Sequence, residues 1–250
     1  MDFDVKKPTH LFALLCVLGT LFLFVGYPLI SLFSPTQIPS LYNPSMTPLQ
    51  KITIEITLLF VQFLFVFAGL ILVPLLWYLL VNRISFKEAM ARMLLRRQGL
   101  LNAILWGIVT IAVAFACTIA IGYAYLYLTK VNPSDLSNIP DLQQLFSIPS
   151  LYLLVIIQPF CEEFFFRGFL LEKLSKKFGV AIAVATTSIF FGISHLTYTY
   201  AYTAVIAVLL GVLFALVVIR TKNLYSAIFA HTMINITSLT LFLLGKSFGM

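Results

Sequence analysis

The sequence predicts an all-α membrane protein, a polytopic bundle of about seven transmembrane helices. Of its 250 residues, 61% are hydrophobic and only 10% are charged, whereas about a quarter of the residues of an average soluble domain are charged. The mean hydropathy is +1.02. So few charged residues could not cover the surface of a soluble fold of this size. We therefore expect residues 1–250 to form a single integral-membrane domain.

Seven long apolar runs define the predicted spans. About 20 apolar residues cross the hydrocarbon core as a helix. The runs are too long and too uniformly apolar for an outer-membrane barrel, whose strands alternate over about ten residues. The predicted spans are residues 11–33, 54–81, 99–128, 149–171, 178–197, 200–220 and 223–245.

The basic residues predict the orientation, because they favour cytoplasmic loops. With the N-terminus inside, twelve of the 16 Lys and Arg residues fall on the cytoplasmic side and three on the outer side. We therefore predict a multi-pass protein of the cell membrane with a cytoplasmic N-terminus. This topology and anionic lipids account for the net charge of +7 without a nucleic-acid partner. Residues 83–98 are predicted to form a basic interfacial helix, with Met93 among the residues that face lipid.

A few polar residues break the apolar pattern inside the predicted spans. Glu162, Glu163 and Arg167 lie in the fourth span, His195 in the fifth and His231 in the seventh. An ionised side chain near the bilayer centre costs about 2.5–3.5 kcal/mol on insertion scales, so such residues indicate a functional site by default.

Helical spacing suggests different roles for these residues. Glu163 and Arg167 form an i,i+4 pair, which is also what a purely structural ion pair would look like. Glu162 has no local partner in this interpretation, which makes it the candidate general base. His231 and Asn235 share a helix face, where an imidazole and a carboxamide suit the binding of a carbonyl oxygen or a water. A single intramembrane histidine such as His195 is more often an interhelical hydrogen-bond partner, and it gains a catalytic interpretation only together with the others.

The residues resemble the motifs of the CPBP family of intramembrane proteases, also called Abi, which process CAAX proteins and bacteriocins and include the eukaryotic prenyl-protein endopeptidase Rce1. The resemblance covers about residues 150–240, which we take as the catalytic core. Many members of the family have eight spans, so an eighth helix is an alternative to the count of seven. The three motifs are EExxxR (Glu162, Glu163, Arg167), FxxxH (Phe191, His195) and HxxxN (His231, Asn235).

The resemblance implies hydrolysis of a peptide bond within the membrane, in a peptide or lipid-modified protein substrate such as a prenylated C-terminal CAAX sequence. In such a reaction Glu162 would deprotonate a water that His195 positions. His231 and Asn235 would stabilise the tetrahedral oxyanion. Glu163, Arg167 and Phe191 would support these residues.

Two mechanisms stay open on the sequence. The family is usually classed as metalloproteases, and Glu162, His195 and His231 could supply three ligands to Zn²⁺ or another divalent metal, with water in the fourth position. No HExxH signature is present, and a metal-free glutamate mechanism uses the same residues, so no cofactor is assigned.

The predicted spans raise a difficulty of depth. Counted from the inner ends of these spans, Glu162 and His231 lie about 10–14 Å deep, whereas His195 lies about 25 Å deep. A single site requires a later start of the fifth span or a tilt of the helices.

Two other functions compete with the protease. A transporter or proton relay also places Glu and His residues within the membrane, although no inverted repeat is visible and the polar residues cluster in the C-terminal half. A non-proteolytic bacteriocin-immunity protein would keep the motifs without cutting. Residues 1–148 carry no family motif, and neither the substrate nor the oligomeric state follows from the sequence.

Overall fold

A computed structural model describes residues 3–33, 45–131, 139–196 and 201–247, and every regular element within these ranges is a helix. This confirms the predicted all-α fold class. The helices in the described ranges are α1 (Pro8–Ser31), α2 (Pro48–Leu80), α3 (Phe86–Arg92), α4 (Leu100–Thr129), α5 (Ile139–Gln143), α6 (Ile148–Phe178), α7 (Val180–Ile193), α8 (Ala201–Thr221) and α9 (Tyr225–Ser247).

Six of these helices, α1, α2, α4, α6, α8 and α9, are long and apolar enough to cross a membrane. Many of their large apolar side chains are exposed, for example Leu105 at 54%, as expected for a surface that faces lipid. The protein is therefore a multi-pass helical bundle, as predicted. The side of the membrane on which the N-terminus lies stays a prediction.

Helices α6 and α7 differ from the predicted fourth and fifth spans. Helix α6 continues to Phe178, seven residues beyond the predicted end at residue 171. Its last turns keep Leu171 buried while Lys176 and Lys177 lie at the surface. Helix α7 has only 14 residues, about 21 Å, and is too short for a hydrocarbon core of about 30 Å. The predicted full-length span over residues 178–197 is therefore wrong, and its last residue lies outside the described ranges.

Local signals explain where several helices begin. Pro8 and Pro48 occupy the first turn of α1 and α2, where the missing N–H would have no intrahelical partner in any case. A capping box between Thr47 and Gln50 closes the start of α2. Gly179, with φ of 86°, separates α6 from α7 in a backbone conformation that favours glycine.

The segment after α3, residues 93–98, contacts both α6 and the turn between α8 and α9. Met93 is fully buried and lies against Gly168 of α6, so the prediction that it faces lipid is wrong. The backbone N–H of Leu224 donates to the carbonyl of Leu94 at 2.9 Å, and the Asn223 carboxamide donates to the carbonyl of Arg96 at 2.9 Å. The turn between α8 and α9 is therefore fixed on residues 93–98.

The core lies around the C-terminal half of α6. All residues from Phe164 to Leu170 are buried. Phe169 packs against the rings of Trp77 and Tyr78 of α2, and Phe166 packs edge-on against Phe191 of α7. Helices α7 and α8 also contact this stretch, and α9 packs against the preceding part of α6, residues 148–163.

Candidate active site

Helix α6 changes its winding at the predicted catalytic motif. Glu162 and Glu163 end the α-helical part, and Phe164–Leu170 form π-helical turns that include Arg167. Such turns are frequent at functional sites because they shift side chains relative to a regular helix.

A buried ionic network joins α6 to α9. Arg167 Nη1 donates to Glu163 Oε1 at 2.9 Å, and both side chains are fully buried. The same Oε1 lies 2.9 Å from Nδ1 of His231. The predicted i,i+4 pair is therefore formed, and it also binds a histidine that lies 68 residues further along the chain.

Glu162 lies beside this network and has two different neighbours. Its Oε1 accepts a hydrogen bond from Gln158 Nε2 at 2.7 Å. Its Oε2 lies 3.7 Å from Nε2 of His231, which is longer than a hydrogen bond. The expectation that Glu162 has no local partner is wrong, because Gln158 lies one helical turn earlier on the same face. The i,i+4 spacing could have revealed this contact.

Aromatic rings enclose Arg167 and His231. The guanidinium carbon of Arg167 lies 4.2 Å from the ring centre of Phe191, in the geometry of a cation–π contact. His231 stacks on Phe214 of α8 at 4.9 Å and meets Phe191 edge-on at 5.6 Å. No sequence signal pointed to Phe214, because an apolar residue in an apolar helix carries no distinguishing pattern.

His195 follows the end of α7 and contacts the cluster through Phe191. The two ring centres lie 4.5 Å apart, and His195 Nδ1 lies 2.8 Å from the carbonyl oxygen of Phe191. A carbonyl only accepts hydrogen bonds, so Nδ1 carries the proton. In the neutral ring, Nε2 is then an acceptor.

The observed helix ends remove the difficulty of depth. Because α6 ends at Phe178 and α7 begins at Val180, Glu162 lies about 24 Å from the C-terminal end of α6 and His195 about 22 Å from the start of α7. The contacts of His231 with both glutamates place it at the same level.

Asn235 is half-buried on α9, one turn beyond His231. Its carboxamide forms no hydrogen bond to the side chains in the described ranges. The structure thus brings Glu162, Glu163, Arg167, Phe191 and His231 into one network, adds His195 through Phe191, and leaves Asn235 beside it.

The predicted metal ligands do not converge in this arrangement. Glu162 and His231 are neighbours, whereas the described contacts of His195 are with Phe191, Ser194 and Thr203. Within the described ranges, no group of three His, Cys, Asp or Glu residues is arranged to hold a metal ion. The side chains as they stand do not fit a three-ligand zinc site.

An apolar cavity of about 290 Å³ lies between α2 and α6, close to this network. Cys161, which precedes Glu162, forms part of its wall. The lining residues are Phe60, Phe63, Leu64, Phe67, Ile157 and Cys161.

The fold and the site together define a multi-pass helical membrane protein with a polar, ionisable centre deep in the bundle. Residues 144–237 match the model of a family described as type II CAAX prenyl endopeptidase, Rce1-like. This part of the chain is therefore similar to the Rce1-like family, which confirms the resemblance seen in the motifs. Comparisons with curated proteins and with solved structures found no match.

Proposed function

We propose that this protein is an intramembrane endopeptidase of the CAAX-protease type and that Glu162 activates the attacking water. The observation that carries the proposal is the placement of Glu162 Oε2 at 3.7 Å from His231 Nε2, while Glu163 binds the other nitrogen of the same ring. A base and a hydrogen-bond donor thus lie side by side within the segment that matches the family.

The proposed roles of Glu162 and His231 require particular protonation states. Glu162 acts as a base only when its carboxylate is ionised. His231 binds Glu163 through Nδ1, so it donates a hydrogen bond through Nε2 only when both ring nitrogens carry protons. In these states Arg167 and His231 balance the two carboxylates, and such pairing reduces the cost of buried charges.

The reaction follows from these states. Glu162 takes a proton from water, and the water oxygen forms a bond to the carbonyl carbon of the substrate. His231 and Asn235 donate hydrogen bonds to the resulting oxyanion, the type of contact that is worth about 3–4 kcal/mol in a water-excluded site. His195 Nε2 accepts a hydrogen bond from the attacking water. The C–N bond then breaks, and the proton held by Glu162 passes to the leaving amine.

The surroundings suit a membrane-associated substrate. The apolar cavity beside Cys161 offers about 290 Å³ for the apolar part of such a molecule. The matching family is described as a type II CAAX prenyl endopeptidase, and we propose a peptide prenylated at its C-terminal CAAX sequence as the substrate.

Cleavage of a defined probe tests the proposal. The full chain, reconstituted in phospholipid vesicles, is incubated with a farnesylated peptide that ends in a CAAX sequence, and mass spectrometry detects the released C-terminal fragment. We expect Glu162→Gln to lose at least about 100-fold in rate. The matched control is Glu55→Gln, since Glu55 is an acid of α2 that accepts a hydrogen bond from the Ser147 backbone at 2.7 Å.

Equal cleavage by Glu162→Gln and the unsubstituted protein would exclude Glu162 as the base. Proton flux through the same vesicles, without cleavage, would favour a proton relay instead.

A further inference from the structure

Gln158 is a polar residue of the site that lies outside the three family motifs. It is half-buried in α6 and donates to Glu162 Oε1 at 2.7 Å. This hydrogen bond makes the two carboxylate oxygens of Glu162 unequal, because Oε1 is occupied and Oε2 faces His231 at 3.7 Å. Gln158 thereby determines which oxygen is available to accept a proton.

Helices α6 and α9 run antiparallel, and two contacts fix their register. Glu162 lies opposite His231, and further out the Tyr152 hydroxyl lies 2.8 Å from the Thr240 hydroxyl. Between these two levels, α6 moves back by ten residues while α9 advances by nine.

The same register places Gln158, four residues before Glu162 in α6, opposite Asn235, four residues after His231 in α9. The two carboxamides therefore lie at one level on neighbouring helices, one turn outward from the base and the imidazole.

A carboxamide nitrogen carries two N–H donors. One N–H of Gln158 binds Glu162, and the second is available to a substrate. Asn235 offers the same type of donor at the same level. A peptide carbonyl attacked next to Glu162 Oε2 would meet both donors.

We propose that Gln158 is a further catalytic residue of this site, which holds Glu162 Oε1 and binds the substrate carbonyl together with Asn235. This proposal rests on the proposed endopeptidase function. The substrate carbonyl would then be bound by two carboxamide donors, Gln158 on α6 and Asn235 on α9, and not by Asn235 alone.

Crosslinking tests the pairing without any substrate. In a chain that carries Cys16→Ala, Cys117→Ala and Cys161→Ala, the pair Gln158→Cys with Asn235→Cys is treated in membranes with a short bis-methanethiosulfonate reagent. We expect a crosslink as efficient as that of Tyr152→Cys with Thr240→Cys, which marks the neighbouring level of the same two helices.

The negative control is Gln158→Cys with Gly245→Cys, ten residues, or about 15 Å, further along α9. If the Gln158–Asn235 pair fails to crosslink while the Tyr152–Thr240 pair does so, the pairing is wrong. This result does not depend on whether the probe peptide is cleaved.

Kinetics test the catalytic role. Gln158→Met keeps the length of the side chain and removes its donors, and we expect kcat for the farnesylated peptide to fall about 100-fold, as for the loss of one oxyanion donor, with KM unchanged. Tyr152→Phe removes a hydrogen bond between the same two helices and should leave kcat unchanged. A purely structural role for Gln158 would instead give the two variants the same kcat.

The outcomes separate the two proposals. If Glu162→Gln is inactive and Gln158→Met cleaves like Tyr152→Phe, the role of Gln158 is wrong and the endopeptidase function stands. If Glu162→Gln cleaves like the unsubstituted protein, the endopeptidase mechanism fails, and with it the catalytic role of Gln158.

Discussion

The two groups of helices differ in how much of their surface is buried inside the protein. The N-terminal group comprises α1, α2 and α4, and the C-terminal group comprises α6 to α9. In the most apolar stretch of α6, 44% of the residues are buried inside the protein, against 17% in α2 and in α4. The N-terminal helices therefore expose most of their surface to lipid, whereas α6 is shielded by its neighbours.

This difference shows what an intramembrane polar site requires. Ionised groups are tolerated at membrane depth where protein surrounds them and pairs them. Glu163 and Arg167 have no exposed side-chain surface, and Phe191 and Phe214 cover the charged and imidazole groups. The N-terminal helices supply part of this cover, since Trp77 and Tyr78 pack on Phe169 of α6.

The largest expected effect comes from breaking the buried network. Arg167→Met leaves Glu163 buried without its cation, and removal of one partner of a buried pair costs about 3–5 kcal/mol. We expect a loss of this size in the free energy of unfolding in detergent, together with loss of cleavage. Arg97→Met, at an exposed position, is the matched control. A stability of Arg167→Met equal to that of Arg97→Met would show that the network does not stabilise the bundle.

A smaller loss should follow from opening the aromatic enclosure. Phe214→Ala removes the ring on which His231 stacks at 4.9 Å and should cost roughly 3 kcal/mol, the low end for a buried phenylalanine. Phe12→Ala in α1 removes a ring that is 54% exposed and should cost far less, because lipid replaces the lost contacts. Thermal unfolding of both variants measures the contrast, and equal losses would contradict the division of the bundle into lipid-facing and shielded parts.

Much of the fold could be predicted because hydropathy is a local property. The six long helices coincide with the apolar runs. The predicted boundaries are wrong where a helix continues through charged residues. The predicted spans end at residue 171 and begin again at residue 178, which leaves Lys176 and Lys177 between them, yet the helix continues to Phe178 with these two lysines at the surface. Helix α7 ends at Ile193, four residues before the predicted end at residue 197, and Ser194 and His195 already interrupt the apolar run there.

Only those contacts of the candidate site that lie within one helix could be predicted from the sequence. The pair Glu163 and Arg167 is visible at i,i+4, and so was the overlooked contact of Gln158 with Glu162. The contact of Phe214 with His231 depends on how α8 packs against α9. No periodicity within one helix contains that information, since either face of an apolar helix can face the core.

Two glycines provide a finer comparison. A Cβ at Gly211 of α8 would lie 2.9 Å from Ser188 Cα and 3.2 Å from Arg167 Nη2, whereas a Cβ at Gly19 of α1 would meet no atom within 4 Å. We expect Gly211→Ala to destabilise the protein by about 1–3 kcal/mol, as for overpacking of a core. Gly19→Ala should stabilise it by roughly 0.5–1 kcal/mol, because glycine is unfavourable within a helix. Thermal unfolding decides between them, and a shift of the same sign in both variants would refute the contrast.

The smallest expected effect concerns a contact that joins the two halves. The Tyr78 hydroxyl of α2 donates to Glu172 of α6 at 3.2 Å, and Glu172 also pairs with Lys173 and Lys176. Tyr78→Phe keeps the ring that packs on Phe169 and removes only the hydrogen bond, so it should cost about 0.5–1.5 kcal/mol. Cleavage should be unaffected, because the contact lies about 15 Å along α6 from Glu162. Cleavage is measured with the farnesylated peptide. A large loss in Tyr78→Phe would instead show that the N-terminal helices contribute to catalysis and do not only enclose the site.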